Sequence, residues 1–482
     1  MFYKFLVFLI SIISFTSCEK KADVEPQLSV SATTVSFPAE GDTSEITLTC
    51  NDQWSINNSA SSWLQLSQNK GNSGNTVIQI VSKPNSTGAA RSTILVVNSS
   101  NGQARRITVS QVALIFPSYN TSTKDPDITG MSCNATELAT KINLGWNIGN
   151  TLEGPGGENG WEGNKQGWNP MITESYVQTV KQLGFNAIRL PCAWNWTHVD
   201  NAKTAHIDEN WLNRVKEVVG YCVNNDMYVL LNVHWDGGWL ENNCTPAKKD
   251  SVNAKQKAIW EQIATTMRDF DEHLMFASAN EPNAGDATQM GVLLSYHQTF
   301  VNAVRSTGGR NTYRVLVIQG SSDFLNVGDF PTDPTPNRMM YEEHNYTPSQ
   351  FTFLGEDVSW GKMAYYWGEG HHSTTEPDRN ATYGEESDQL KYFQRIKEQF
   401  VDKGIPVLMG EYGAYRRGGS AHVPLDLELH NASVDYWLTY VTKQAIVHGV
   451  KPFYWDTGGA LDRRNNTVLD QRTIDAIIAG SK

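Results

Sequence analysis

Eight short apolar runs, each separated from the next by an amphipathic helical pattern, constrain the fold of this chain more than any other feature. The runs are Ile142 to Ile148, Asn186 to Leu190, Tyr228 to Val233, Leu274 to Ala277, Val315 to Gln319, Met339 to Glu343, Val407 to Met409 and Pro452 to Tyr454. Between them apolar residues recur at helical spacing. One set is Tyr176, Val177, Val180 and Leu183, opened by Thr173 and stopped by Gly184. Others are Trp211, Val215, Val218 and Cys222; Ile259, Ile263, Met267 and Phe270; Leu390, Phe393, Ile396 and Phe400; and Trp437, Leu438, Val441 and Ala445. Short strands alternating with helices bury both faces of a parallel sheet. Eight such units over residues 133–482 predict an α/β fold of the (β/α)8 TIM-barrel kind. A doubly wound open sheet is the alternative, and no GxGxxG-type loop supports it.

The first third of the chain has a different period. Leu28 to Ser31, Glu45 to Thr49, Thr76 to Val81, Ser92 to Val97 and Arg106 to Ser110 alternate or are β-branched, with Gly, Asn, Ser and Pro between them. Residues 27–113 therefore read as a small all-β, immunoglobulin-like sandwich of seven or eight strands. Trp54 and Trp63 are expected in its core rather than as platforms. Residues 114–132 carry Pro117, Pro126 and Gly130 without periodicity and read as a linker. At the start, Lys4 precedes an apolar run from Phe5 to Phe15, too short to span a bilayer, which ends at Cys18. The pattern resembles a bacterial lipoprotein signal over residues 1–18. It implies an exported protein with a lipid anchor at Cys18, in the outer membrane and facing the surface or the periplasm.

Composition removes several classes. There are 39 Lys and Arg against 51 Asp and Glu, a net charge of −12, and no basic cluster, so nucleic acid is not an expected partner. The cysteines after Cys18 are scattered and form no CxxC pair, which leaves zinc and redox sites unsupported. His371 and His372 lack a carboxylate at helical spacing and read as exposed loop. No metal or cofactor is expected, and a monomer is.

In a TIM barrel the site lies at the C-terminal ends of the strands. Read in order, those ends supply Asn147; Arg189; His234, Trp235 and Asp236; Asn280 and Glu281; Gln319; His344, Asn345 and Tyr346; Glu411; and Trp455 with Asp456. Helix capping does not require two glutamates, two histidines, an arginine and a tryptophan at successive ends. Two carboxylates flanking one bond are what glycoside hydrolysis needs, at ~5 to 5.5 Å if one of them is the nucleophile. Asp236 and Asp456 read as acceptors of loop amides, and Glu153 as either an outer sugar contact or a loop residue.

Several segments resemble known families. Gly145 to Glu153, Gly184 to Pro191, Asn280-Glu281-Pro282, His344 to Pro348, Gly410 to Ala414 and Tyr454-Trp455-Asp456 together resemble glycoside hydrolase family 5. The likeness is strongest to its subfamily 4, which includes cellulases and xyloglucanases. Trp54 to Ile56, Trp63 to Ser67, Gly71 to Gly74, Arg91 to Ile94 and Ile107 to Gln111 resemble the BACON domain of Bacteroidetes. The resemblance implies a retaining endo-β-1,4-glucanase with Glu281 as acid/base and Glu411 as nucleophile. Arg189 would hold Glu411 ionised and oriented, and Asn280 would bond the sugar 2-OH. His234 would line the glycone side, His344 and Tyr346 would position the carboxylates, and Trp455 would floor the −1 subsite. Asn147 and Trp235 complete the expected substrate-binding set. The departures are Trp235 where many members have a second histidine, no glutamate in Phe276 to Ala279, and Asn345 for a common tyrosine. The expected partner is β-glucan; alternatives are a β-mannanase, a xylanase or a non-hydrolytic glycan-binding protein.

Overall fold

The computed structural model describes residues 25–85, 87, 89–163, 165, 167–320 and 329–482. The leader and Cys18 lie outside the described residues. The chain forms two compact units, divided after Leu114.

Among the described residues the first unit has nine strands in two sheets. One sheet orders Leu28–Val30, Thr43–Cys50, Gly74–Ser82 and Leu64–Leu66; the other orders Thr34–Phe37, Ala104–Gln111, Arg91–Ser99, Trp54–Asn57 and Lys70–Gly71. Burial alternates along each long strand, as period two requires. The inward residues, among them Leu48, Leu64, Ile78, Ile80, Leu95, Val97, Ile107 and Val109, make one apolar core. Trp54 belongs to that core, and Gly71 lacks a side chain because a Cβ there would overlap the indole. Trp63 is half-buried beneath the Arg91 guanidinium, 4.4 Å from the ring centre.

The second unit is a closed barrel of eight parallel strands. They are β1 (Gly145–Ile148), β2 (Ala187–Leu190), β3 (Tyr228–Asn232), β4 (Leu274–Ala277), β5 (Leu316–Gln319), β6 (Met339–Asn345), β7 (Val407–Tyr412) and β8 (Val450–Asp456). All eight expected strands are present. β1 starts three residues late, at Gly145, while β6, β7 and β8 run further toward the mouth than the apolar runs suggest, because their last residues are polar. β8 closes onto β1 with Gly145 opposite Phe453. The main helices are α1 (Glu174–Gln182), α2 (Glu209–Asn224), α3 (Lys249–Met267), α4 (Ala287–Ser306), α5 (Glu386–Gln399), α6 (Leu427–Val447) and α7 (Gln471–Gly480). Thr173 caps α1 by accepting from the Tyr176 amide.

Alternate residues of each strand serve two cores. Outward residues such as Ile188, Val229, Leu231, Phe276, Ile318 and Met409 pack under the helices. Inward residues Ala187, Leu230, Met275, Val317, Met340, Leu408 and Phe453 fill the barrel and meet Leu138 and Ile142 of the short Ala135–Lys141 segment. Residues 115–132 are tied to this unit. The Glu261 carboxylate of α3 accepts from the Tyr119 amide at 2.6 Å and the Ser118 hydroxyl at 3.0 Å, and the Lys124 amide donates to Thr307 O at 3.2 Å. The stretch that reads as a linker is a strap on the barrel. Cys50, Cys133, Cys192, Cys222 and Cys244 are buried thiols, and no described helix is long and apolar enough to cross a membrane.

Candidate active site

Strand alternation delivers the site. On β6 the inward register of Met340 continues through Glu342 to His344. On β7 the inward residue after Leu408 is Gly410, so strict alternation would turn Glu411 outward. A register irregularity between Met409 and Tyr412 re-aims it, and Glu411 pairs with His344 across the β6–β7 edge. Gly410 is required here: a Cβ would overlap the Glu342 carboxylate. Beyond β4, Glu281 has φ 44°, a left-handed backbone uncommon for a non-glycine residue. The Gln319 side chain at the end of β5 holds it by accepting from the Glu281 amide at 2.7 Å.

A cavity of about 390 Å³ is lined by His234, Asn280, Glu281, Tyr346, Ser349, Phe353, Glu411 and Trp455. Six of the ten residues expected from the sequence therefore line one cavity. The reactive atoms of Glu281, His344 and Glu411 lie within 4.8 Å of one another. His344 sits between the carboxylates: Nδ1 is 2.8 Å from Glu281 Oε1 and 3.8 Å from Glu411 Oε2, and Nε2 is 3.1 Å from Glu342 Oε1. Both ring nitrogens thus face carboxylates. The Tyr346 hydroxyl donates to Glu411 Oε2 at 3.0 Å. The His234 ring lies nearly parallel to the Trp455 ring, 5.7 Å away and tilted by 11°.

Three expected substrate contacts are placed elsewhere. Arg189 is fully buried beneath the cavity. It pairs with Glu411 at 2.7 Å and with Glu342 at 2.9 Å, and donates to Asn280 Oδ1 at 2.6 Å. Asn147 is also fully buried, donating to Gly410 O at 2.8 Å and accepting from Arg189 Nη1 at 3.1 Å. Neither side chain reaches the cavity surface; both brace the residues that do. Trp235 is 45% exposed and packs edge-on against Trp196, 42% exposed, outside the cavity lining. Of the other loop tryptophans, Trp194 is core, Trp161 packs on Trp211, Trp239 donates to Asp236, and Trp168 is exposed.

The loop residues sort by the same test. Asp236 is buried and accepts the amides of Trp194, Asn195 and Trp196, while Asp456 accepts those of Gly458 and Ala460. Glu153 is buried and accepts amides from Asn150 and Thr151, so it is a loop residue. His372 pairs with Glu385 at 2.7 Å and His371 stacks on Tyr436.

The electrostatics follow from five charged groups in one small volume, Arg189, His344, Glu281, Glu342 and Glu411. Burial disfavours a charged His344, but the Glu411 charge and the bonds to Glu281 and Glu342 outweigh it and push its pKa up to about 10. The bond from His344 holds Glu281 below the usual carboxylate range. Burial and the neighbouring Arg189 and His344 charges push His234 well down, so it is neutral. Two carboxylates are not identifiable from strand ends. Glu342 is fully buried, and although burial works against its charge, Arg189 and His344 keep its pKa low. Glu241, in the loop after β3, is buried beside Asn280 and pushed up to about 9 by burial and by the Glu281 charge. Glu342 was findable from alternation with His344; Glu241 had no sequence signal.

Two family models match the chain: the cellulase model of glycosyl hydrolase family 5 over residues 151–460, and the BACON N-terminal binding-domain model over residues 53–112. The chain is 31% identical to a xyloglucan-specific endo-β-1,4-glucanase, BoGH5A, of Bacteroides ovatus, over 97% of this chain and 94% of that one. It is 30% identical to an endoglucanase A of Paenibacillus barcinonensis, over 78% of this chain and 98% of that one. Among solved structures it resembles a Bacteroides ovatus family 5 xyloglucanase in complex with a XXXG heptasaccharide. That match has a TM-score of 0.68 and 29% identity, covering 94% of this chain and all of that one. It also resembles XEG5B, a xyloglucan-specific β-1,4-glucanase from a ruminal metagenomic library, with a TM-score of 0.64 and 35% identity, covering 72% of this chain and 96% of that one.

Proposed function

The chain belongs to glycosyl hydrolase family 5, and from that premise we propose that Glu411 is its nucleophile and Glu281 its acid/base. It is a retaining endo-β-1,4-glucanase with a TIM-barrel catalytic unit and a BACON unit. The observation that carries the assignment is the spacing of the two carboxylates across the mouth, within 4.8 Å at their nearer oxygens. That is close to the ~5 to 5.5 Å of a retaining pair and well short of the ~6.5 to 9.5 Å an inverting pair needs to seat a water beside the sugar.

Glu411, oriented by Arg189 and Tyr346, attacks the anomeric carbon as Glu281 protonates the leaving oxygen. A water then enters on the Glu281 side, Glu281 takes its proton, and the Glu411 ester is broken. Arg189 and Asn147 act from below, by fixing Glu411 and Asn280. Trp455 offers a flat face to the −1 sugar, and neutral His234 packs beside it. Both are held in place before substrate arrives.

We propose a branched β-glucan, xyloglucan, as the preferred substrate. A second cavity of about 480 Å³ adjoins the first, sharing Tyr346, Phe353 and Trp455, and extends past Tyr415, Arg416 and Asp470. A bare cellulose chain does not need this lateral room, and a side branch does. The two xyloglucan-specific relatives support the reading. The test is a panel of xyloglucan, mixed-linkage glucan, carboxymethylcellulose, glucomannan and xylan, with reducing ends and product lengths measured beside Glu281→Gln and Glu411→Ala. Highest kcat/KM on xyloglucan, lost in both variants, is expected; equal rates on unbranched glucans would remove the branch assignment. The exported, lipid-anchored state inferred from Cys18 is tested by labelling cells with a fatty-acid analogue. Wild type should be labelled and Cys18→Ala should not.

A further inference from the structure

The free-enzyme geometry poses a problem for the acid/base assignment, on which the following inference rests. A general acid must hold a proton. Glu281 Oε1 instead faces His344 Nδ1 at 2.8 Å, and the other ring nitrogen faces Glu342 Oε1 at 3.1 Å. Carboxylates only accept, so a ring flanked at both nitrogens by carboxylates is either doubly protonated or has passed one proton to a neighbour. We propose that the proton used to expel the leaving group is stored on His344 in the free enzyme, and that Glu342 is the positioning residue that keeps it there.

The groups facing the ring are Glu281 beyond β4, Glu342 on the same strand, Glu411 on β7 with Oε2 3.8 Å from Nδ1, and Arg189 on β2 with Nη2 3.4 Å from Nε2. His234 lines the same cavity, and Glu241 is bonded to Asn280 close enough to feel the Glu281 charge. Arg189 alone opposes a second proton on the ring at close range. It is itself committed to Glu411, Glu342 and Asn280. Glu342 cannot turn toward solvent: it is fully buried in the barrel, in the space that Gly410 leaves by lacking a side chain.

The step balances. The Nδ1–H bond breaks as an O–H bond forms on the Glu281 carboxyl, leaving a neutral imidazole that still donates from Nε2 to Glu342. Glu281 gives that proton to the leaving oxygen as the glycosidic bond breaks and the Glu411–carbon bond forms. A Glu281 carboxylate then faces an unprotonated Nδ1, two lone pairs opposed, which strengthens it as a base. In the second half it takes a proton from water, and that proton returns to Nδ1. The pair shares one titration rather than two separate ones.

Two measurements test this. In wild-type protein with 15N-labelled histidine rings, assigned by the signal missing in His344→Asn, both His344 nitrogens should be protonated at neutral pH. A neutral His344 ring would overturn the proposal, and this readout does not depend on a variant folding. In Glu342→Gln, checked for native circular dichroism, the alkaline limb of kcat/KM on soluble β-glucan should move down by about one pH unit or more, the effect of losing a close opposite charge. A uniform loss with an unmoved limb would mean that Glu342 is only structural. Glu281→Gln separates the two levels: if it retains wild-type activity on β-glucan, the acid/base assignment itself is wrong; if it is inactive while the Glu342→Gln limb stays put, only the relay fails.

Discussion

The two ends of the barrel are made from the same eight strands and have opposite chemistry. At the N-terminal end Leu230, Met275, Val317, Met340, Leu408 and Phe453 interlock with Leu138 and Ile142. Two to four residues further along the same inward register stand Asn232, Gln319, Glu342 and His344, and beside them Glu281 and Glu411. The apolar end contributes burial, at about 25 cal/mol per Å². The polar end holds several charges that burial makes costly, offset only because each finds an opposite charge within 4 Å. Stability and catalysis are therefore separated along the strand axis, and mutations can be used to test that separation.

The largest expected effect is at the mouth. Glu411→Ala should remove several orders of magnitude from kcat while leaving the circular dichroism spectrum native. Glu281→Gln should cost roughly 10²–10⁴-fold on a poor leaving group. At the other end Phe453→Ala should lower unfolding free energy by about 3–5 kcal/mol in denaturant titration, with kcat per folded molecule unchanged. A comparable loss of kcat there would erase the distinction. Gly410→Ala sits at the junction and should damage both, costing about 1–3 kcal/mol as its methyl displaces Glu342 and, through it, Arg189 and His344.

Smaller effects refine the same contrast. Glu241 keeps its proton to about pH 9 when folded, and an unfolded glutamate loses it near pH 4.3. A carboxyl raised in this way penalises folding increasingly as pH rises between those values. Glu241→Gln should therefore match wild-type melting at about pH 4 and exceed it by a widening margin up to about pH 9. A constant offset would mean that the carboxyl is not protonated in the folded state. Removing residues 1–114 should leave kcat on soluble substrate unchanged. Starting at Ser132 should also lower the melting temperature, because the Glu261 and Thr307 bonds, each worth roughly 0.5–1.5 kcal/mol, are lost.

The eight strands, the sandwich and the strand-end polar residues could be read from periodicity, because hydrophobic patterning records which way each residue faces. What could not be read was depth. Asn147, Arg189 and His234 sit at equivalent strand ends, yet the first two lie under the cavity and the third lines it. That difference depends on barrel tilt and on which neighbours fill the mouth. The irregularity that turns Glu411 inward leaves no mark beyond Gly410, and the strap over 115–132 lacks any period because its bonds are to distant helices. Glu342 lies short of the strand's end and is legible only by counting back two residues from His344 along β6.

The mechanism depends on a covalent bond between Glu411 and sugar, and that bond can be trapped. The enzyme would be stopped with a 2-deoxy-2-fluoro-β-cellobiosyl fluoride, digested, and the labelled peptide sequenced by mass spectrometry. A single sugar adduct on Glu411 is expected. An adduct on another residue, or turnover without any adduct and with the α-anomer released first, would contradict it.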